Sequence, residues 1–151
     1  MYDHAVASAT AEALRLQMAR RDAEAAQRRA AQKALRERAV AEFAEEFARG
    51  HLTKRELAQI QARVLRAAEA GAYEALALRF PSAFCADGGR AINNAAPDWP
   101  DTLTGKARDV VELWRRWARP RGFGLKALIV DFPGGMPGDV GLFVTWAPEA
   151  A

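Results

Sequence analysis

A chain of 151 residues with 22 Lys+Arg against 19 Asp+Glu is long enough for one domain, or for one small domain with an extension. The net charge of +3 and pI near 9.4 exclude a strongly basic nucleic-acid tail and a strongly acidic one. Cys85 is the single cysteine, so no intrachain disulfide forms and a reducing compartment, the cytoplasm, is expected. No charged-then-apolar leader and no long apolar run is read, so no membrane span is expected. The preference for Ala and Arg over Ile and Lys points to a GC-rich bacterial gene.

The first element is one long helix, or two with a break, from about Val6 to Arg49. The stretch lacks Gly and Pro and is dominated by Ala, Arg, Glu, Gln and Leu, the strongest helix formers. Its apolar surface is unfinished. A heptad set on Leu14 reads Leu14, Arg21, Arg28 and Leu35 at one seam position and Met18, Ala25, Gln32 and Ala39 at the other. Two arginines and a glutamine in the seam argue against an ordinary two-stranded coiled coil. Large apolar residues gather at the ends, at Leu14, Leu16 and Met18 and again at Leu35, Val40, Phe43 and Phe47. Gly50 stops the helix.

Thr53-Lys54-Arg55-Glu56 has the spacing of a capping box, and Leu52 and Leu57 fall where a hydrophobic staple would. A helix over 54–70 follows, ended by Gly71. It forms an αα-hairpin with the first helix, Phe43 and Phe47 facing Leu57, Ile60 and Val64. Tyr73–Phe80 reads as a strand with Leu76, Leu78 and Phe80 on one face. A loop of about twenty residues then carries Pro81, Pro97 and Pro100. A helix capped by Thr102 or Thr104 runs to about Ala118, with Val110, Leu113, Trp114 and Trp117 as its core stripe. Pro120 and Gly122 end it. Phe123–Phe132 and Val140–Trp146 are the last two strands, joined by a Pro/Gly-rich tip. The expected core further includes Ile129, Val130, Leu142 and Val144.

The expected fold is α+β: a long N-terminal helical hairpin, then a small βαββ unit with one helix packed on a three-stranded sheet. The expected division is a helical extension over 1–50 and an α+β domain over 51–151. If the first two strands are parallel neighbours, the loop after Phe80 and the tip after Phe132 leave the same sheet edge, where α/β sheets place ligands.

That edge collects the polar candidates. Asp87-Gly88-Gly89-Arg90 with Asn93 and Asn94 offers amides, a guanidinium and carboxamides suited to an anion or a peptide backbone. The plainer reading is a set of turn formers satisfying their own backbone. Met136, between two Pro-Gly pairs, is a contact point for a partner or part of a rigid, wide turn, and Arg90 would pair with Asp139 or Asp131 or, in the functional version, stay free to meet an acidic or anionic group on a partner. Trp114 and Trp117 read as core rather than as a base-stacking platform. The catalytic inventory is thin: His4 and His51 are the only histidines, Cys85 reads as a small buried hydrophobe, and no metal-ligand spacing appears. No cofactor and no metal are expected.

The leading expectation is a non-catalytic interaction protein: a regulator, adaptor or inhibitor that binds another protein or a second copy of itself. Leu14, Met18, Arg90, Asn93, Asn94, Met136 and Asp139 would make the contact. The first alternative is nucleic-acid binding through Arg20, Arg21, Arg28, Arg29, Arg63 and Arg66. The second is a small enzyme with its site on the loop edge.

Overall fold

A computed structural model describes residues 10–148. Helix α1 spans Ala11–Arg49 and α2 spans Lys54–Glu69. Strand β1 covers Glu74–Pro81. A short helix α3, Arg90–Asn93, and the nine-residue α4, Gly105–Leu113, precede β2, Gly124–Ile129, and β3, Asp139–Thr145. The protein is α+β, with a three-stranded antiparallel sheet. The chain divides into two compact units, one ending at Glu42 and the other beginning at Phe43.

The Thr10 hydroxyl accepts from the Ala13 amide and caps α1, and residues 6–9 of the helix predicted over 6–49 lie outside the described residues. No side chain of α1 is fully buried, as its broken apolar pattern implies. Gly50 stops it, its amide donating to the Phe47 carbonyl at 3.0 Å. The capping box of α2 forms as predicted: the Glu56 amide donates to the Thr53 hydroxyl and the Thr53 amide to the Glu56 carboxylate.

The hairpin packing expected for α1 is replaced by another contact. Phe47 stacks on Phe80 at 5.4 Å between ring centroids and meets Phe84 at a tilt at 5.1 Å, while Phe43 is 61% exposed. The end of α1 is thereby fastened to β1 and the turn after it, and the second unit begins at Phe43 rather than after Gly50.

The sheet order is β1-β3-β2, so β1 and β2 are not neighbours. The physical reason is burial. β3 carries Val140 and Leu142, both fully buried, and takes the middle, where a strand is covered best. Because both outer strands run antiparallel to β3, β1 and β2 are still parallel to each other. Their C-terminal ends reach the same edge.

β1 also departs from its predicted phase. Leu76 pairs with Phe143 and Leu78 with Leu142, so Ala77 is an extra residue, a bulge. Ala75, Ala77 and Phe80 are buried, and Leu76 and Leu78 only half-buried. The guanidinium of Arg63 on α2 donates to the Leu76 and Ala77 carbonyls at 2.9 and 3.2 Å, covering the irregular edge.

α4 starts after Thr104, as predicted, but the Thr104 hydroxyl donates to the Phe84 carbonyl instead of capping. Its buried face is Ala107, Val110 and Val111. After Leu113 the helix widens into a π-turn over Trp114–Ala118, with the Arg119 amide donating to the Trp114 carbonyl. Leu113 and Trp117 fall outside the core, at 40% and 51% exposure, and Val130 is likewise too exposed to belong to it.

Candidate functional site: an apolar groove beside α2

The loop edge forms as a place and is consumed largely by its own structure. The buried Ser82 joins the two loops, its amide donating to the Gly138 carbonyl at 2.9 Å and its hydroxyl to the Pro137 carbonyl at 3.3 Å. A Cβ on Gly89 would come 2.8 Å from the Ser82 Cβ, so glycine lets the loop after β1 fold this closely on itself. Asp87 accepts from the amides of Gly89 and Ala91, the turn-forming reading of that residue.

The expected pairing of Arg90 is overturned. Arg79 on β1 takes both acids, at 2.9 Å to Asp139 and 3.7 Å to Asp131. Asp131 also accepts from the Asp139 amide and shapes the tip. Arg79 outcompetes Arg90 because β1 and β3 are adjacent strands, which places its guanidinium directly beside Asp139. Arg90, Asn93, Asn94 and Met136 are exposed, and Arg90 has no ion pair among the described residues. Arg90→Ala is therefore expected to change the unfolding free energy by less than about 0.5 kcal/mol, as read by thermal denaturation.

The four arginines of α1 proposed for nucleic acid do not share one face of the helix. At about 100° per residue, Arg21 and Arg28 lie together on α1 while Arg20 and Arg29 fall on opposite sides of it. Arg63 is committed to the carbonyls of β1, and Arg66 is exposed on α2. Leu14 and Met18 are exposed on α1.

Cys85 is buried against the core. Burial first, and then the charge of Asp87, push its thiol from an ordinary 9.0 up to about 11, against a lowering hydrogen bond with Thr102. A thiol so placed is protonated and unreactive at neutral pH. Because the folded value is raised, its contribution to stability is complete below pH 9.0 and is lost as pH rises toward about 11. Alkaline denaturation of Cys85→Ala should show a shallower fall across that window than the parent chain.

The feature that sequence reasoning missed is a groove of about 560 Å³ on the helix-covered side of the sheet. One wall is α2, with Leu57, Ile60, Val64 and Leu65. The other is the end of α4 and the π-turn, with Leu113, Trp114 and Trp117. Ala77 and Val144 make the floor, and Phe123 closes one end. Gln61 is the one polar side chain in the lining among the described residues, apart from the Trp indoles.

Polar ties hold the walls apart at this separation. Lys106 on α4 donates to both Glu56 oxygens on α2, at 3.0 and 3.1 Å. Asp109 accepts from the Leu52 amide at 2.8 Å and meets His51 Nδ1 at 3.1 Å. Burial works to raise the Glu56 carboxyl, but Lys106 and the Thr53 bonds outweigh it and hold the group below its usual range. The Trp114 indole donates to the Phe123 carbonyl at 2.9 Å, which fixes the ring in the wall. Widening of the helix at Trp114–Ala118 swings Trp117 out of the core and onto the rim.

The rim is cationic. The Arg119 guanidinium lies 5.5 Å from the Trp114 ring centre and that of Arg121 lies 4.4 Å from the Trp117 ring. Arg116 is exposed beside them and lines an adjoining hollow with Lys54, Asp109 and Glu112. The available signal was the surplus of apolar residues. Leu57, Ile60, Val64, Leu65, Leu113 and Trp117 are more than this small core can cover.

No group of three or more His, Cys, Asp or Glu side chains suited to a metal ion occurs among the described residues. None of the described helices is long and apolar enough to cross a membrane. Comparison with known protein families, with curated proteins and with solved structures finds no match to this chain.

Proposed function

We propose that this chain is a non-catalytic protein-interaction module, a regulator, adaptor or inhibitor, whose docking surface is the groove between α2 and the π-turn. The observation that carries the reading is the groove itself: apolar walls and floor left open to water, a single glutamine in the lining, and an arginine rim. Large exposed apolar patches of this kind mark interaction sites. The volume also falls in the range of small-molecule sites. Such sites carry several convergent polar groups that orient the ligand, and here only Gln61 is available. A macromolecular occupant with apolar anchors suits the lining better.

Within this reading the loop edge is a secondary contact region. Arg90, Asn93, Asn94 and Met136 stay free to meet a partner there, and Asp139 serves the hairpin. The single, buried cysteine suits a protein working in the cytoplasm.

The test is a paired measurement on Trp117→Ser and Leu65→Ser, both at exposed rim positions. Melting temperature should hold, because neither side chain is in the core. Affinity for the protein that co-purifies with a tagged full chain should fall by about tenfold or more, the behaviour of an aromatic or apolar anchor at an interface. A lowered melting temperature with unchanged binding would make the groove an under-packed core instead.

A further inference from the structure

We propose that the groove receives residues 37–46 of α1 from a second copy of this chain; the inference rests on the reading of the groove as a docking surface. The segment is Glu37-Arg38-Ala39-Val40-Ala41-Glu42-Phe43-Ala44-Glu45-Glu46. Val40 and Phe43 are exposed, at 45% and 61%. At about 100° per residue they lie within roughly 60° of each other, on the side of the helix that carries Phe47. They are therefore a short apolar stripe with i, i+3 spacing, the pattern of a helix that lies in an apolar groove.

Charge separates this segment from the rest of α1. Residues 15–36 hold seven Lys and Arg against Asp22 and Glu24. Residues 37–46 hold four glutamates against Arg38 alone. Glu37 makes only a long, exposed contact of 3.9 Å with Lys33, and Glu42, Glu45 and Glu46 have no ion pair among the described residues. The groove rim has the opposite sign at Arg119 and Arg121, over the Trp114 and Trp117 rings, and Arg116 adds a third cation in a hollow it shares with Lys54, Asp109 and Glu112. The chain thus carries an acidic helix with an apolar stripe and an apolar groove with a basic rim, each without a partner among the described residues. In the dimer, Phe43 enters between α2 and the wall of Trp114 and Trp117, while Glu46 and Glu42 beside the stripe meet the rim arginines. A reciprocal exchange fills both grooves and closes the assembly as a two-fold dimer, with no further site left for growth.

The test is sedimentation equilibrium of the full chain and five variants, with circular dichroism to confirm that each is folded. The parent chain should be a dimer that weakens as salt is raised, because the rim contacts are ionic. Phe43→Ser and Trp117→Ser should each weaken the dimer by about tenfold or more. Arg116→Glu with Arg119→Glu should dissociate it, as should Glu42→Arg with Glu46→Arg, and combining the two double variants should restore association. A dimer indifferent to Phe43 and Trp117, or reversals that show no mutual rescue, overturns the inference. A monomeric parent whose Trp117→Ser variant loses a different bound protein overturns the second copy and leaves the groove as a docking surface. A monomeric parent in which Trp117→Ser changes no binding overturns both.

Discussion

Leu142→Ala is expected to lower the unfolding free energy by about 3–5 kcal/mol. Leu142 is fully buried in the central strand, paired with Leu78 on one side and Ala127 on the other. Ala107, Val110 and Val111 belong to the same core cluster. Truncation removes buried carbon and leaves a hole that a three-stranded sheet tied at both edges closes poorly. Small domains are stable by only about 5–15 kcal/mol, so this one change removes a large share. Urea denaturation of Leu142→Ala should show a lower midpoint with little change in slope. Leu128→Ala is the comparison, because Leu128 is 46% exposed on the outer strand and should cost within about 0.5 kcal/mol. Equal losses at the two positions would mean that the buried face of the sheet has been misassigned.

Gly105→Ala should also be damaging, and for a different reason. Gly105 has φ +53°, a left-handed conformation that costs an alanine roughly 1–3 kcal/mol. Its missing Cβ also leaves room for the end of α1. A Cβ there would overlap the Phe47 carbonyl oxygen and come within 3.0 Å of the Ala48 Cα. Backbone cannot yield as a flexible side chain does, so the end of α1 must lift and draw Phe47 away from Phe80 and Phe84. Gly71→Ala separates the two causes, since Gly71 has φ +83° and nothing within 4 Å of the added carbon. Gly71→Ala should show the backbone strain alone. Gly105→Ala should lose clearly more in denaturation and should become sensitive to proteolysis near Arg49, where the loosened helix end is exposed.

Local chemistry was legible in the sequence, and long-range choices were not. The capping box of Thr53 and Glu56 depends on residues three apart and forms as read. Gly122 ends the π-turn region in a left-handed conformation, φ 92°, at the predicted stop. Both loops leave one edge, but because β3 lies between two parallel strands rather than because those strands are neighbours. The bulge at Ala77 has no sequence signature, since alanine fits either face, and it turned the predicted Leu76–Leu78 stripe half out of the core. Ala107 is fully buried and equally silent. The π-turn moved Trp117 off the stripe on which regular spacing had set it.

The site was hidden by the same facts. The groove is built from Leu57, Ile60 and Val64, read as core against Phe43 and Phe47, and from Trp114 and Trp117, read as core against the sheet. Once Phe47 is seen to prefer Phe80 and Phe84, α2 loses that cover. Arg90 was assigned a partner by proximity in the loops, and the adjacency of β1 and β3 gave that partner to Arg79. Pairing across strands depends on sheet order, which the spacing of residues along the chain does not encode.

The central claim is that the groove is covered by protein in the cell, and in-cell photo-crosslinking tests it most directly. A photoreactive amino acid replaces Leu65, on the rim, or Gln59, exposed on the same helix but outside the groove lining. A discrete crosslinked protein band is expected from position 65 and little from position 59, with the band at twice the chain mass if the partner is a second copy. No protein adduct from position 65, or equal adducts from both positions, would contradict it.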